Sequence, residues 1–125
     1  MKSPESCTCL RTVPGTDWLL LLWNDAEFIP AHHHYGVRRP LSLAVSKDRD
    51  ETWTKLADIA TDTGLNFTNL SCDFVTPSQA VIGFMVHGPD QQSESQGPWG
   101  WRDPEYMDLH TAVIDTAWII DAIEP

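Results

Sequence analysis

Short apolar or alternating runs, separated by Gly, Pro, Asn and Asp, dominate the chain and are typical of β-strands. The run "WLLLLW" at 18–23 follows the turn "PGTD", which favours a strand although periodicity alone also allows a buried helix. A helical turn is a minor alternative for "DIATDTG" at 58–64. The pattern predicts an all-β chain with strands near 6–12, 17–23, 41–46, 53–57, 69–75, 79–86, 109–114 and 117–121.

These eight predicted strands form two copies of one pattern. The dipeptide "SC" begins each copy, at 6–7 and 71–72, and a proline-containing turn precedes the second strand of both. Trp53 in the first copy matches Trp118 in the second. Four-stranded repeats are typical of β-propeller blades, which are usually about 40–50 residues long. The alternative is chance similarity between short strands.

The charge and the apolar runs limit the partners of the chain. A formal net charge of −10 disfavours nucleic acid and anionic membrane surfaces, since both require basic patches. The run at 18–23 is far shorter than the about 20 residues that span a bilayer.

The N-terminal "MKSPESCTCL" has no apolar segment of the kind found in signal peptides. We therefore expect no signal peptide, and the localisation stays undetermined.

Two sets of residues that often bind metals have simpler interpretations here. Cys7, Cys9 and Cys72 have the spacing of neither a disulfide framework nor a zinc site, and we expect small core or strand residues. The consecutive residues His32–His34 cannot all face one ion from regular structure, and we expect a solvated loop, with weak ligand contact as the alternative. We therefore expect no metal and no cofactor.

The stretch "SKDRDETW" at 46–53 lies between the third and fourth predicted strands. It resembles the Asp-box of sialidases and related propellers, Ser-x-Asp-x-Gly-x-Thr-Trp, the hallmark of BNR repeats. Ser46, Asp48, Thr52 and Trp53 occupy their places, and Asp50 stands where glycine is usual. Asp48 is placed to accept hydrogen bonds from the backbone of its own turn. Aspartate is one of the few residues that tolerate the positive φ which glycine supplies.

Two further segments extend the resemblance to about residues 3–86. "RRPLSLAV" before the box is similar to the family's Arg-x-Pro-Leu segment, and "LRTVPGTDWLLLLWND" is similar to its preceding strand pair. The resemblance implies that residues 1–125 are a fragment of a six-bladed sialidase-like propeller, its C-terminal two blades. One four-stranded antiparallel blade is expected at about 6–58 and the other at about 69–121. Two open apolar blade faces would then promote self-association.

The resemblance also implies a chemistry. Sialidases, or neuraminidases, are glycoside hydrolases that release a terminal sialic acid with a tyrosine nucleophile, in place of the usual carboxylate pair. An arginine cluster holds the carboxylate of the sugar. Arg38 matches the Arg-x-Pro-Leu arginine and is the expected substrate-binding residue, with a salt bridge to an acidic side chain as the alternative. Asn69 stands at the position of the nucleophile, so no catalytic residue is assigned.

Two functions follow from these matches. The first is a sialidase-like glycoside hydrolase fragment that is inactive alone. The second is a non-catalytic propeller module that binds a carbohydrate of the sialic acid type or has a purely structural role. Trp99, Trp101 and Tyr106 in "GPWGWRDPEY" would form a sugar-stacking platform, or else cover an edge of the domain. Asn66 and Asn69 begin two N-glycosylation sequons, which we ascribe to chance.

Overall fold

The described residues fold as an all-β domain, as the alternating pattern predicts, and include one short α-helix that the pattern does not predict. The structure is a computed structural model that describes residues 1–88 and 106–125. Its elements within these ranges are β1 (Cys9–Thr12), β2 (Leu19–Asn24), a 3-10 turn (His33–Tyr35), β3 (Leu41–Ser46), β4 (Thr54–Ala60), β5 (Asn66–Thr76), β6 (Gln79–Gly88), β7 (Tyr106–Asp115) and α1 (Thr116–Ile123).

The strands form two antiparallel sheets in which each strand pairs with its neighbour in sequence. Sheet A has the order β1-β2-β3-β4, and sheet B has the order β5-β6-β7. The predicted pairing of 41–46 with 53–57 is confirmed, because Leu43 faces Ala57 and Val45 faces Thr54. The first half of the chain is therefore the expected four-stranded antiparallel sheet.

Both sheets bury one face in a shared core. Core side chains come from alternate positions of β2 and β3 in sheet A and of β6 in sheet B, as period-2 strands require. In β5 this alternation is interrupted by the pairing irregularity between Thr68 and Ser71. The largest core side chains of the strands are Leu20, Leu22, Leu41, Leu43, Phe67, Ile82, Phe84 and Ile114. Burying a leucine or phenylalanine side chain stabilises the fold by about 1.5–3 kcal/mol. This shared core fixes how the sheets face each other.

The predicted strand at 117–121 is wrong, because these residues belong to α1, and sheet B therefore has three described strands and not the expected four. A short apolar run such as "AWIID" has no period that separates strand from helix. Tertiary contacts decide the outcome. The hydroxyl of Thr116 donates to the carbonyl of Pro77 at 2.9 Å, and Ile119 is fully buried in the core. The helical turn considered for 58–64 is also wrong at its start, since β4 continues through Ala60.

The two thiols that pack between the sheets confirm part of the cysteine prediction. Cys9 and Cys72 are buried, and the Cys9 thiol donates to the Cys72 carbonyl at 3.6 Å. Burial raises the pKa of the Cys72 thiol to about 11. Cys7 differs, because it precedes β1 and is exposed.

The connections lie at two opposite ends of the sheets. We call "the loop end" the one formed by residues 1–8, 25–40 and 61–65, where β6 also ends and β7 begins. We call "the turn end" the one formed by residues 13–18 and 47–53, near α1. Over the described ranges, no helix has both the length and the apolar character needed to cross a bilayer.

Candidate functional site

A network of side-chain hydrogen bonds closes the turn between β3 and β4. The Ser46 hydroxyl donates to Asp48 Oδ1 at 2.8 Å and accepts from the backbone N–H of Asp50 at 2.8 Å. Thr52 donates to Asp48 twice, through its hydroxyl at 2.5 Å and its backbone N–H at 2.8 Å. These donors, first the Thr52 hydroxyl, hold the pKa of Asp48 at about 2. We refer to residues 46–53 as the acidic turn.

Asp50 takes the backbone conformation that glycine usually supplies. Its φ is 88°, and the preceding Arg49 also has a positive φ of 59°. The Asp50 carboxylate accepts a hydrogen bond from the indole N–H of Trp53 at 2.8 Å. The aspartate therefore closes the turn with its side chain as well as with its backbone.

Lys47 connects the acidic turn to the rest of the turn end. Its ammonium group lies 5.0 Å from the centre of the Trp18 ring and pairs with Glu124 after α1. The acidic turn thus contacts its own backbone, Asp17, Trp18 and the C-terminal segment. This arrangement is structural, and it lies at the opposite end of the sheets from Arg38.

Arg38 lies half-buried at the loop end, where sheet A meets sheet B. Its backbone N–H donates to the Asn66 side chain at 2.9 Å, and its carbonyl accepts from the N–H of Phe67 at 2.8 Å. The guanidinium Nη2 donates to the backbone carbonyl of Glu5 at 3.2 Å. These three contacts come from residues about 28–33 positions away, and they position the side chain between the two sheets and the N-terminal segment.

The Arg38 guanidinium retains a donor that no other group satisfies. Within residues 1–88 and 106–125, its Nε is buried without a hydrogen-bond partner, and the side chain makes no ion pair. Burial lowers the pKa of Arg38, while Cys7 and Glu5 act in the opposite direction. A cationic group that is partly desolvated and lacks an ion-pair partner can hold an anion that supplies oxygen acceptors.

The N-terminal segment forms one wall beside Arg38. The Glu5 carboxylate lies 3.2 Å from His34 Nδ1, and the Glu5 N–H donates to the His34 carbonyl at 2.8 Å. The indole N–H of Trp23 donates to the Lys2 carbonyl at 3.1 Å. Residues 1–5 are therefore held against the end of β2 and the 25–40 loop.

The three consecutive histidines lie in the 25–40 loop. His32 has a buried Nδ1 without a hydrogen-bond partner among the described residues, whereas His34 faces Glu5. In the part of the chain that the structure describes, no group of three or more His, Cys, Asp or Glu side chains is arranged to hold a metal ion.

The position that the family resemblance assigns to a nucleophile lies apart from the contacts of Arg38. Asn69 has a φ of 52° at an irregularity in the pairing of β5 with β6. Its amide contacts the sulfur of Met85 at 3.9 Å. Asn66 is the first residue of the other sequon. Its side chain is buried and accepts a hydrogen bond from the backbone N–H of Arg38, so it is not available for glycosylation in the folded chain.

Several residues of the loop end were not predicted. The rings of Phe28 and Tyr35 stack at a centroid distance of 5.0 Å, and both are exposed. Glu5, His34 and Asn66 join Arg38 only through contacts between distant segments. No local motif relates them to Arg38, although His34 belongs to the histidine run and Asn66 begins a sequon. The platform predicted from Trp99 and Trp101 lies outside the described residues.

An apolar cleft of about 330 Å³ opens between β4, β7 and α1. Trp118 and Asp115 lie at its rim, and the Asp115 carboxylate accepts a hydrogen bond from Gln79 at 3.2 Å. Its remaining lining is aliphatic, from Ala57, Ile59, Val113 and Ile114. The cleft offers little chemistry for a charged ligand.

Comparison of the chain with protein-family models, with curated proteins and with solved structures finds no match in any of the three.

Proposed function

We propose that this chain is a two-blade portion of a sialidase-like β-propeller, and that Arg38 at its loop end binds the carboxylate of a sialic acid-type sugar. The observation that carries the proposal is the half-buried Arg38 guanidinium, which makes no ion pair among the described residues. A planar guanidinium matches a carboxylate through two parallel hydrogen bonds. Partial burial strengthens such a contact relative to one in water.

Two features of the fold support the propeller part of the proposal. Sheets A and B are consecutive antiparallel sheets that pack face to face around one core, the relation that neighbouring blades have. The acidic turn joins the third and fourth strands of sheet A, and Ser46, Asp48 and Thr52 bond to one another as an Asp-box turn requires. Asp50 fulfils the backbone role of the missing glycine.

The same proposal assigns binding, and not hydrolysis, to the chain alone. Asn69 stands where the family resemblance requires a tyrosine, and an amide cannot act as the phenolate nucleophile of a covalent glycosyl transfer. Hydrolysis would then require groups from outside these residues, as expected for a fragment of a glycoside hydrolase. Asn69 also favours the second candidate function, a non-catalytic glycan-binding or structural propeller module.

Titration with sialyllactose and with lactose, followed by NMR chemical shifts, tests the role of Arg38. We expect the chain to bind sialyllactose in preference to lactose, and Arg38→Gln to weaken sialyllactose binding about tenfold or more. Arg49→Gln is the matched control, since Arg49 is an exposed arginine at the turn end. Equal affinity for both sugars, or an unchanged affinity of Arg38→Gln, would overturn the proposal.

A fluorogenic sialoside tests the assignment of binding without turnover. The purified chain is expected to release no fluorophore above the rate of the buffer. Release that disappears in Arg38→Gln would instead show that this chain is an active sialidase.

The proposed partner besides the sugar is a second copy of the chain. The outer face of sheet B exposes Met107, Leu109 and Val113 at alternating positions of the edge strand β7. Exposed apolar residues on an edge strand favour association with another sheet. The net charge of −10 keeps nucleic acid and anionic membranes outside the predicted partners.

A further inference from the structure

Two aromatic rings form an exposed platform at the loop end. The rings of Phe28 and Tyr35 stack with an interplanar angle of 19°, and the two residues remain 58% and 44% exposed. Exposed apolar side chains normally lie singly on a protein surface. A stacked pair instead presents one continuous apolar surface of fixed shape.

The backbone beneath the platform is held in an unusual conformation. His34 and Tyr35 both have positive φ, at 55° and 58°, which costs non-glycine residues about 1–3 kcal/mol each. Two hydrogen bonds fix the loop, from the N–H of Ile29 to the Tyr35 carbonyl at 2.7 Å and from the N–H of Tyr35 to the His32 carbonyl at 3.0 Å. Strain that the surroundings maintain in this way often occurs at ligand sites.

The same loop does not tolerate a side chain at position 36, where it has Gly36. A Cβ at this position would lie 2.5 Å from the Glu27 carbonyl oxygen, and its φ of 146° also favours glycine. The chain can therefore pass close to Glu27 and place Tyr35 on Phe28 only with glycine here. The platform is a consequence of the loop backbone as well as of the two rings.

The platform adjoins Arg38 through Glu5. The Glu5 N–H donates to the carbonyl of His34, the neighbour of Tyr35, at 2.8 Å. The Glu5 carbonyl accepts from the guanidinium of Arg38 at 3.2 Å. One residue of the N-terminal segment thus separates the aromatic pair from the proposed carboxylate-binding group.

We propose that Phe28 and Tyr35 bind the apolar face of a neutral hexopyranose that is linked to the acidic sugar held by Arg38. The inference rests on the proposed function, and it adds a second sugar to the ligand. Pyranose rings present C–H groups on one face, and a rigid aromatic surface binds them at little entropic cost. The Glu5 carboxylate nearby supplies acceptors for sugar hydroxyls.

A small ligand fits this surface better than a protein partner does. Stable protein interfaces bury about 1,200–2,000 Å² in total, far more than two half-exposed rings provide. The adjoining cation also favours an anionic ligand with a short neutral extension. Contact with a second protein chain is an outcome that the experiment separates.

The test compares Phe28→Leu with the wild type in NMR titrations of three sugars. They are sialyllactose, the methyl glycoside of sialic acid, and lactose. Leucine retains apolar volume without a flat ring. Position 28 is chosen because Phe28, unlike Tyr35, does not have a positive φ. We expect Phe28→Leu to weaken sialyllactose and lactose binding about three- to tenfold and to leave the methyl sialoside unchanged. Leu10→Ala, at an exposed apolar residue of β1, is the control.

Each failure has its own pattern. An unchanged affinity of Phe28→Leu for both lactose-containing sugars overturns the platform, and so does an equal loss for the methyl sialoside. Loss of lactose binding in Phe28→Leu, with no effect of Arg38→Gln on any sugar, retains the platform and overturns the proposed role of Arg38. A change in sedimentation coefficient in Phe28→Leu assigns the rings to contact between chains and overturns the inference. The melting temperature and amide spectrum of each variant establish that it is folded.

Discussion

Asp48 organises the acidic turn because one carboxylate accepts hydrogen bonds from two neighbouring residues. Ser46 and Thr52 both donate to it, and Thr52 does so with its hydroxyl and with its backbone. Each of these bonds favours the ionised form, so the folded state binds the proton more weakly than the unfolded chain does. The stability of the turn is therefore coupled to pH.

We expect Asp48→Asn to reduce the sensitivity of the fold to acid. The folded-state pKa of about 2 lies below the ordinary value of 3.8, so ionised Asp48 stabilises the fold fully above about pH 4. This stabilisation is lost as the pH falls through about 2. The melting temperature of the wild type should therefore exceed that of Asp48→Asn at about pH 6, and the gap should narrow towards pH 2. Circular dichroism measures both.

Glu51→Gln is the matched control for this pH series, since Glu51 is an exposed carboxylate of the same turn. Its melting temperature should follow that of the wild type at every pH. A gap between wild type and Asp48→Asn that stays constant down to pH 2 would contradict the coupling.

Asp50 allows the backbone and side-chain contributions to be separated. Asp50→Ala removes the bond to the Trp53 indole and leaves a Cβ at a φ of 88°, whereas Asp50→Gly removes the same bond and relieves the backbone. We expect the glycine variant to be more stable than the alanine variant by about 1 kcal/mol. Urea unfolding gives both values. Equal stabilities would show that the positive φ carries no strain.

At the scale of elements, the bounds of a strand could be predicted where local signals mark both of its ends. β3 was predicted at its observed bounds because "LSLAVS" lies between Pro40 and the acidic turn. The eighth element was predicted as a strand and is α1, because contacts of Thr116 and Ile119 with sheet residues override a run without a period. β5 begins earlier than predicted, since Asn66 and Phe67 pair with the end of β6.

The loop end shows the same difference between local motifs, which could be predicted, and long-range contacts, which could not. Arg38 was selected from a local motif, but its bonds to Glu5 and Asn66 depend on how the N-terminal segment and sheet B meet sheet A. The stacking of Phe28 on Tyr35 depends on the loop backbone between them. Arg38 could therefore be predicted from its local motif, whereas its contacts with Glu5 and Asn66 could not.

Ile119 tests the role of α1 in the core. Its side chain is fully buried, and we expect Ile119→Ala to lower the free energy of unfolding by about 2–5 kcal/mol. Asp121→Ala on the exposed side of the same helix is the control and should change stability by less than about 0.5 kcal/mol. Chemical denaturation measures both. Similar small effects would mean that α1 does not complete the core.

At the scale of the whole molecule, the outer face of sheet B is the surface expected to associate. Leu109 lies opposite Met85 and Val113 lies opposite Val81, so apolar side chains from two strands form one patch. We expect the double variant Leu109→Lys, Val113→Lys to shift the chain towards monomer in sedimentation velocity. Charged side chains on an edge strand oppose pairing with another sheet.

Leu10→Lys is the control for this surface, because Leu10 is an exposed apolar residue of sheet A. It should leave the association unchanged. If the double variant and the wild type sediment alike while Leu10→Lys dissociates, sheet A is the contact surface instead.

The location of Cys7 determines how the molecule can be mounted on a sensor. It is the one exposed thiol among the three cysteines, and its electrostatic interaction with Arg38 locates it at the loop end. Maleimide coupling through Cys7 would turn that end towards the chip and obstruct glycan access. Coupling through Arg49→Cys at the turn end, in a chain that also carries Cys7→Ser, would leave the guanidinium of Arg38 exposed to the glycan solution.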